Sequence, residues 1–395
     1  MIRRYREAFS GLPRDVWWLS GVTFVNRSGT MVLPFMALFL TARRGYGAAD
    51  VGVALALYGV GAMAGVAVGG WLSDRIDPRA IMITSLVATG AGFLVLPLAV
   101  DRWAALTALF LLGAFGEAFR PANMAALMRG LPPEVRTRAV GLLRLAINLG
   151  MSFGPAAGGL LASIDYAWLF RVDAATCWAA ALLVGQLMRR GALRPHAAQH
   201  EVVDRSPLSD RPFLALLALE TTVALVFFQI NSTYPLTLRD GFGFNERAIG
   251  LTLAVNTVLI VLTEMLLVHR LRAAAPLRVA AWGALLLCTG FGLLTWTGPG
   301  GWVLVSLVVW TAGEMLNLPF VTGVIAGRAG RRMGGYMGLY NVAFSSAFVA
   351  GPLLGTWAYE HLGHRAPWIA CLVLGPLIAI CFLGLERRWN RTAPS

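Results

Sequence analysis

The chain has 395 residues, of which 57% are hydrophobic and only 13% are charged, and its formal net charge is +13. Soluble globular domains carry about 25% charged residues, so this composition excludes a soluble globular protein. Apolar runs such as GVALALYGVGAMAGVAVGGWL reach the roughly 20 residues with which a helix crosses a bilayer, and we predict a helical membrane protein.

Twelve membrane-spanning helices are predicted, so the fold class is all-α and polytopic. None of the apolar runs alternates with period two, which argues against a β-barrel. The basic N-terminal arm leads directly into the first span, so no cleavable signal peptide is expected. In chain order the predicted spans are 15–41, 49–73, 79–100, 103–129, 138–163, 168–188, 212–238, 248–269, 277–297, 302–327, 334–360 and 366–386.

The loops on the two sides of the membrane differ in charge. All 33 basic residues are arginine, and 23 of them fall in the termini and the loops on one side, whereas seven fall on the other. Because positively charged loops stay in the cytoplasm, we predict cytoplasmic termini and a location in the bacterial inner membrane. The positive charge then implies contact with anionic lipids, and no nucleic-acid partner is expected.

No motif of an enzyme, a nucleotide site or a metal site stands out. The sequence has no Walker motif, zinc signature or nucleophile elbow, so no cofactor, no metal and no ATP hydrolysis on this chain are expected. The four cysteines lie in predicted spans without paired or metal-ligand spacing. We interpret Cys177, Cys288, Cys371 and Cys381 as small apolar packing residues.

The second half of the sequence repeats the first at an offset of 197 residues. Three dipeptides obey this offset: GE at 116 and 313, GL at 141 and 338, and GP at 154 and 351. Three matches in one register predict two six-helix halves that are parallel repeats about an axis along the membrane normal. We predict an N-terminal half at 1–188, a cytoplasmic linker at 189–211 and a C-terminal half at 212–395.

Two motifs connect this architecture with a known family. The loop after span 2, GGWLSDRIDPRAI, resembles the signature loop of the major facilitator superfamily, which is usually Gly, three residues, Asp, Arg, two residues, Gly, Arg, and Arg or Lys; Asp77 and Pro78 depart from it. Span 5 carries GMSFGPAAGG, which resembles the antiporter motif of drug:proton exporters. The matching residues are Gly70, Asp74, Arg75 and Arg79 in the loop, and Gly150, Gly154, Pro155, Gly158 and Gly159 in span 5.

The resemblance implies that the loop after span 2 gates the cytoplasmic side. An aspartate at a helix end can accept hydrogen bonds from the N-terminus of a facing helix, so Asp74 with Arg75 and Arg79 is expected to lock that gate. The alternative is a turn whose charges only fix the topology. In span 5 the glycines allow backbones to approach closely and Pro155 bends or weakens the helix; whether this motif does more than packing stays open.

Charged residues at the middle of the spans predict the binding and coupling site. A charge at that depth costs about 2.5–3.5 kcal/mol on translocon scales and is a functional candidate by default. The family resemblance implies that spans 1, 4, 7 and 10 line a central cavity. The alternative is a set of structural ion pairs, Arg27 with Glu117 and Arg120 with Glu314. The candidates are Glu314 and Glu117 for proton coupling, and Asn26, Arg27, Arg120, Gln229, Asn231, Tyr234 and Asn317 for substrate binding.

The two repeated glutamates are expected to differ in role because their neighbours differ. Arg120 lies one helical turn from Glu117, whereas only Asn317 lies one turn from Glu314. A buried acid without a basic neighbour is expected to exchange protons near neutral pH, so Glu314 is the first candidate for the proton carrier. Glu117 is then an arginine partner or a substrate contact.

Three further charged residues lie in spans near the cytoplasmic side. The resemblance implies that spans 5 and 8 face each other, so Arg144 and Glu264 are expected to form a gating lock between the halves. The alternative is that Arg144 reaches the cavity and Glu264 faces its own half. The sequence leaves the role of Glu220 in span 7 open.

These features predict a proton-coupled secondary transporter, and the motifs favour an exporter similar to drug:proton antiporters. Two arginines in the cavity favour a small anionic, zwitterionic or neutral amphipathic substrate over a cation. One alternative is a proton-coupled importer of a small polar nutrient, peptide or anion, and sodium in place of protons stays open. An alternative of another class is a membrane sensor or scaffold, although no soluble domain is appended. The protein is expected to be a monomer.

Overall fold

The structure, a computed structural model, describes residues 11–128, 131, 133–189, 207–296, 298–329 and 333–389; most of the predicted linker, 190–206, lies outside them. Twelve helices in the described residues are long and apolar enough to cross a membrane, which confirms the predicted spans. The helices are Arg14–Ser28 and Val32–Arg44 (span 1), Ala48–Ser73 (span 2), Pro78–Val95 (span 3), Arg102–Met128 (span 4), Pro133–Ile164 (span 5), Tyr166–Arg189 (span 6), Arg211–Phe227 and Thr233–Phe242 (span 7), Glu246–Arg270 (span 8), Pro276–Gly292 (span 9), Gly300–Ala329 (span 10), Met333–His361 (span 11) and Ala366–Trp389 (span 12).

Short polar sequences begin and end these helices. The side chain of Asp77 accepts a hydrogen bond from the backbone N–H of Arg79 at 3.1 Å, and proline occupies the first turn of span 3. The side chain of Asn245 caps span 8 in the same way. Gly243, with φ of 67°, ends the second helix of span 7 in the left-handed conformation that glycine adopts without strain. Asp77, which departs from the family's signature loop, therefore has a structural role as a helix cap.

Spans 1 and 7 are each broken into two helices. Span 1 is interrupted at 29–31, and span 7 is interrupted by a short 3-10 helix at Phe228–Asn231. The two interruptions lie close to the 197-residue offset of the repeat. Broken helices in membrane proteins expose backbone groups that need partners, so these two places are where side chains from other spans are required.

The chain packs as two compact units, which we describe separately. The first unit contains the described residues of 11–35 and 57–189, and the second contains those of 36–56 and 207–389. The outer part of span 1 and the start of span 2 therefore pack with the second unit. Arg239 donates a hydrogen bond to the Thr41 hydroxyl at 2.6 Å, and Glu360 accepts one from the backbone N–H of Ala49.

Glycines allow spans 2 and 4 of the first unit to pack closely. Gly61, Gly65 and Gly69 follow each other at four-residue spacing, and a Cβ atom on any of them would collide with backbone oxygen atoms of span 4. Gly113 of span 4 in turn lies against the backbone oxygen of Tyr58. Small residues at such contacts are the usual means of helix association in lipid, where the hydrophobic effect does not drive helices together.

Aromatic side chains form the core of the second unit. The ring of Phe291 stacks on Trp310 at 5.1 Å and on Trp368 at 6.0 Å, and Tyr234 meets Phe291 edge to face at 5.8 Å. Such geometries add to the contribution from buried area. The core therefore ties spans 7, 9, 10 and 12 together, and it fixes the positions of the polar residues that those spans carry.

Candidate substrate and proton-coupling sites

Three charged residues form a cluster in the first unit. Arg27 of span 1 places its Nη2 atom 4.0 Å from Oε1 of Glu117, and Arg120 places its Nε atom 3.6 Å from Oε2 of the same glutamate. The side chains of Arg27 and Glu117 are about one-fifth exposed, whereas that of Arg120 is 53% exposed. We call these three residues the arginine cluster.

The arginine cluster has unused hydrogen-bonding capacity and a net positive charge. Two guanidinium groups face one carboxylate, and both ion pairs are longer than an ordinary hydrogen bond. A guanidinium carries five N–H donors in a planar fork, which suits a carboxylate or a phosphate. In the described part of the chain, no hydrogen bond from Arg27 or Arg120 meets ordinary geometry. The cluster is therefore suited to binding an anionic group.

The glycines of the antiporter motif pack span 5 against span 1 beside the arginine cluster. A Cβ atom on Gly150 would lie 2.7 Å from Cβ of Arg27, and one on Gly154 would lie 2.9 Å from the backbone oxygen of Thr30. Gly158 meets Phe35 in the same way, while Gly159 is buried and Pro155 lies within the helix. The motif thus sets how closely the backbone that carries Arg27 approaches span 5.

Asp173 of span 6 holds the break in span 1, and the sequence analysis missed it. Its fully buried carboxylate accepts hydrogen bonds from the backbone N–H of Met31 at 3.1 Å and of Val32 at 2.9 Å. These N–H groups begin the second helix of span 1, where the helix dipole favours an anion. Gly29 lies against Thr176, one turn further along span 6. Two features of the sequence could have indicated this contact. One is the acid in the middle of span 6, and the other is the Gly-Thr pair in span 1.

Asn26, predicted to bind substrate, contacts span 6. Its side-chain amide lies 3.7 Å from the sulfur of Cys177, and both residues are at least partly buried. The two residues thus join spans 1 and 6 close to the arginine cluster. Among the four cysteines, Cys177, Cys288 and Cys371 are buried and Cys381 is exposed, and none forms a disulfide.

Glu314, the predicted proton carrier, has a polar partner from another helix. The side-chain amide of Asn256 in span 8 donates to Oε2 of Glu314 at 3.2 Å and lies 3.0 Å from the hydroxyl of Thr311. Glu264, also in span 8, lies near enough for its charge to interact with that of Glu314. The sequence suggested Asn317 as the neighbour of Glu314, but the structure places the amide of Asn256 there.

Asn317 instead lies beside Glu220. Asn317 is fully buried and donates a hydrogen bond to the backbone oxygen of Ala280 in span 9 at 3.2 Å. Its side chain also lies beside the carboxyl group of Glu220 from span 7, without a hydrogen bond of ordinary geometry to it. The structure therefore provides the neighbour of Glu220 that the sequence could not identify, and it places Asn317 in the interior of the second unit.

Gln229 closes the break in span 7 with hydrogen bonds to backbone groups. Its amide donates to the backbone oxygens of Leu225 at 2.9 Å and of Gly351 at 2.8 Å, and its carbonyl accepts from the hydroxyl of Thr233 at 2.7 Å. Gly351 is the repeat partner of Gly154, which lies against the break in span 1. Gln229 thus holds the break in span 7 closed, and its amide donors are already used in these hydrogen bonds.

The two remaining substrate candidates in span 7 differ in environment. Tyr234 is fully buried, and its ring lies in the aromatic core against Phe291 and Trp310. Asn231 is half-buried at the end of the short 3-10 helix. Of the two, Asn231 is the one whose side chain is accessible, while Tyr234 contributes to packing.

The loop after span 2 is a short turn that connects spans 2 and 3. Asp74 and Arg75 are exposed, and the guanidinium of Arg75 lies 3.7 Å from the centre of the Trp71 ring. Arg79 is buried, and its Nη2 atom has no hydrogen-bond partner among the described residues. Gly70 has room for ordinary contact with span 4. The gating role of these residues stays a prediction.

Arg144 and Glu264, the predicted lock, lie in different units. Arg144 is exposed on span 5, and Glu264 is half-buried on span 8. The proximity of Glu264 to Glu314 is what the alternative interpretation predicts, in which Glu264 faces its own half. The lock itself stays a prediction.

A tight ion pair just outside span 7 was not found from the sequence. Arg328 at the end of span 10 donates two hydrogen bonds to the carboxylate of Asp210, one of them at 2.8 Å, and the hydroxyl of Tyr336 donates a third at 2.9 Å. Burial by itself would raise the pKa of Asp210, but these bonds and one from the backbone N–H of Phe213 outweigh it and lower that pKa below its ordinary value. The pair joins the ends of spans 7, 10 and 11.

Comparison with known proteins gives consistent matches along most of the chain. The family model for the Major Facilitator Superfamily matches residues 19–351. The multidrug resistance protein MdtH of Aeromonas salmonicida is 24% identical over 373 residues, which cover 91% of each chain. The Na(+), Li(+), K(+)/H(+) antiporter of Planococcus maritimus is 23% identical and covers 85% of this chain and 86% of its own. The structure of the POT family transporter PepTSo matches with a TM-score of 0.80 at 14% identity, covering 96% of this chain and 99% of that one.

Proposed function

The chain belongs to the Major Facilitator Superfamily, and on that premise we propose that it is a proton-coupled exporter of small anionic, zwitterionic or amphipathic compounds that works by alternating access. It is a multi-pass membrane transporter and not an enzyme. Its relatives include a protein named for multidrug resistance, which supports export, and one named as a cation/proton antiporter, which supports antiport. The likeness to a POT family structure supports the fold alone.

The arginine cluster is the observation that carries the substrate class. Arg27 and Arg120 flank a single carboxylate, so the cluster keeps one positive charge to be neutralised by a ligand. A positive ligand entering a low-dielectric site beside two guanidinium groups is disfavoured, whereas a carboxylate or phosphate gains charge-assisted hydrogen bonds. Glu117 keeps the two arginines apart and reduces their mutual repulsion when no ligand is bound.

Glu314 is the residue that we propose to carry the coupling proton. It lies in the middle of span 10, and a hydrogen bond from Asn256 orients its carboxyl group. In the described residues no arginine forms an ion pair with Glu314, in contrast to Glu117. A carboxyl group without a fixed cation can accept and release a proton without leaving a buried positive charge behind.

The direction of coupling is tested with the purified full-length protein in proteoliposomes and a panel of labelled small compounds. Antiport accumulates substrate in vesicles with an acidic interior, whereas symport accumulates it when the exterior is acidic, whichever way the protein is inserted. We expect accumulation only with the acidic interior. Accumulation driven by an acidic exterior would establish import instead, and a sodium gradient replacing the pH gradient would establish sodium coupling.

Glu314→Gln tests the proton carrier in the same vesicles. We expect the variant to lose accumulation driven by the pH gradient while it still exchanges labelled for unlabelled substrate, because the neutral amide mimics the protonated acid. Asp101→Asn, at an exposed helix end, is the matched control and should transport normally. If Glu314→Gln still concentrates substrate against a gradient, the assignment to Glu314 is wrong.

Arg27→Gln and Arg120→Gln test the substrate class. Each should weaken the binding of an anionic or zwitterionic substrate by about 10-fold or more, since a charge-assisted hydrogen bond contributes about 1.5–3 kcal/mol. Arg365→Gln, which removes an exposed arginine far along the sequence from the cluster, is the control and should leave binding unchanged. Transport in the wild type that is dominated by permanent dications would contradict the proposed class.

A further inference from the structure

Glu220 is the most deeply buried acid of the second unit whose carboxyl group lacks a hydrogen-bonded partner. It lies in span 7, and its side chain is 2% exposed. Neither carboxyl oxygen accepts a hydrogen bond of ordinary geometry from any residue that the structure describes, although the amide of Asn317 lies beside it. The Oδ1 atom of Asn317 is likewise buried and without a donor. Three acceptor atoms thus share one buried place, and none of them receives a hydrogen bond of ordinary geometry.

The corresponding position in the first unit shows that packing alone does not require an acid. At the offset of 197 residues, Glu220 corresponds to Thr23 of span 1. The hydroxyl of Thr23 is buried, accepts a hydrogen bond from the side chain of Asn123 in span 4 at 2.8 Å and donates to the backbone oxygen of Leu19. A neutral residue therefore suffices at this position of the repeat in the first unit, although its partner Asn123 corresponds to Phe320 and not to Asn317, and the acid in the second unit calls for another reason.

The charged groups on the spans around Glu220 are engaged elsewhere. Spans 9, 11 and 12 pack against the first helix of span 7. Arg278 of span 9 is paired with Glu386 of span 12 at 3.0 Å, and Arg328 of span 10 is paired with Asp210. From span 11, Tyr340 is close enough to interact electrostatically with Glu220. Among the described residues, no cation forms an ion pair with this carboxyl group.

An ionised carboxylate in this place would lose its water without gaining a hydrogen bond of ordinary geometry or a cation. Buried charges without partners are strongly destabilising, and buried acids in such surroundings remain neutral by holding their proton. A protonated Glu220 has one O–H donor, which one of the neighbouring acceptors can receive. One proton added to Glu220 therefore gives both groups a hydrogen bond, because the O–H of Glu220 donates it and the neighbouring acceptor receives it.

We propose that Glu220 is a second proton-binding residue of this transporter, which holds a proton while it is buried and exchanges that proton with water when alternating access exposes it. The inference rests on the proposed function, and it extends the coupling site from Glu314 to a second carboxyl group of the same unit. Asn317 lies beside Glu220, whereas Asn256 is hydrogen-bonded to Glu314, so each carboxyl group has its own positioning residue. Two exchangeable protons per molecule follow from this arrangement.

Infrared pH titration of the full-length protein in lipid tests the proposal without any substrate. Only a protonated carboxyl group gives the carbonyl stretch of a carboxylic acid, and exchange into deuterated water shifts that band. Because every carboxyl group of the protein titrates, each variant is compared with the wild type: we expect one titrating acid band to be missing in Glu220→Gln, one in Glu314→Gln and both in the double variant. Asn317→Ala should shift the titration of the Glu220 group and leave its band present, which a purely structural role of Asn317 would not do.

Two outcomes would overturn the proposal. An acid band that is unchanged in Glu220→Gln means that Glu220 is ionised throughout. A Glu220 band that never changes with pH or deuterium means that its proton does not exchange. If Glu220→Gln does not fold, the wild type provides a second test. It is labelled with dicyclohexylcarbodiimide, which adds to protonated buried carboxyl groups. Mass spectrometry should find the label on Glu220 and less of it at higher pH; no label at any pH counts against the proposal.

The outcome at Glu220 can be separated from that of the proposed function. If Glu220 titrates but Glu314→Gln still accumulates substrate in response to a pH gradient, the assignment to Glu314 fails and Glu220 stands. If Glu314→Gln uncouples transport but Glu220 does not titrate, only the second proton site is lost.

Discussion

Asp173 offers the sharpest test of how the first unit is held together. Its carboxylate accepts hydrogen bonds from the backbone N–H groups of Met31 and Val32, at the start of the second helix of span 1. The side chain is fully buried, so no water is available to replace these bonds. We compare Asp173→Ala, which removes the acceptor, with Asp173→Asn, which keeps an acceptor oxygen but removes the charge.

The expected magnitudes follow from the number of donors left unpaired. Each buried N–H without a partner costs about 1–3 kcal/mol, so losing both bonds in Asp173→Ala should lower the free energy of unfolding by about 2–6 kcal/mol. Asp173→Asn should lose only the interaction of the charge with the helix dipole, up to about 2 kcal/mol in a buried place. A protein domain is stable by about 5–15 kcal/mol, so the alanine variant is expected to be severely destabilised.

Thermal unfolding followed by tryptophan fluorescence, in one detergent at neutral pH, ranks the variants. Hydrogen exchange of the peptide that contains Met31 and Val32 should accelerate in Asp173→Ala. The matched control is Asp101→Ala, which removes the exposed cap of span 4, where water can replace the lost hydrogen bond at a cost of about 1 kcal/mol. The reasoning is refuted if Asp173→Ala is no worse than this control, or if asparagine is as damaging as alanine.

Two further predictions concern other charged residues. Because the pKa of Asp210 is lowered in the folded state, its stabilising contribution is complete above about pH 3.9, the ordinary pKa of aspartate, and is lost as the pH falls through the lowered value. The difference in thermal midpoint between wild type and Asp210→Asn should therefore be largest near neutral pH and shrink in acid; a difference that does not depend on pH would contradict the role of the Arg328 pair. For the predicted lock, Arg144→Ala and Glu264→Ala should each reduce transport, and exchanging the two charges in Arg144→Glu/Glu264→Arg should partly restore it. If Glu264 acts with Glu314 instead, the exchange restores nothing and Glu264→Gln changes the pH dependence of transport.

Much of the architecture could be predicted from the sequence because the bilayer constrains the length and composition of each span separately. A span needs a fixed length of apolar residues, so hydropathy alone located all twelve spans to within a few residues at most ends. The repeat was readable because glycine, proline and glutamate recur in one register. The sequence also predicted that Gly150, Gly154 and Gly158 allow close packing, since small residues at four-residue spacing mark close contact between helices in lipid.

The partners of the buried polar residues were predictable only when they lie on one helix. Glu117 and Arg120 are one turn apart, so the sequence could place them on a common face. The same rule suggested Asn317 as the neighbour of Glu314. It did not apply there, because Glu314 is hydrogen-bonded to Asn256, a residue of another span.

The remaining contacts depend on how each helix is rotated and how deeply it sits, which local sequence does not specify. The bonds from Asp173 to the break in span 1, from Gln229 to the backbone of span 11 and from Arg328 to Asp210 all join residues more than 100 positions apart. In lipid every buried backbone group and charge needs a partner, so such contacts had to exist. The sequence determined that these partners were needed, and the tertiary structure alone decided which residues they are, because helix rotation selects the few side chains that reach a given polar atom.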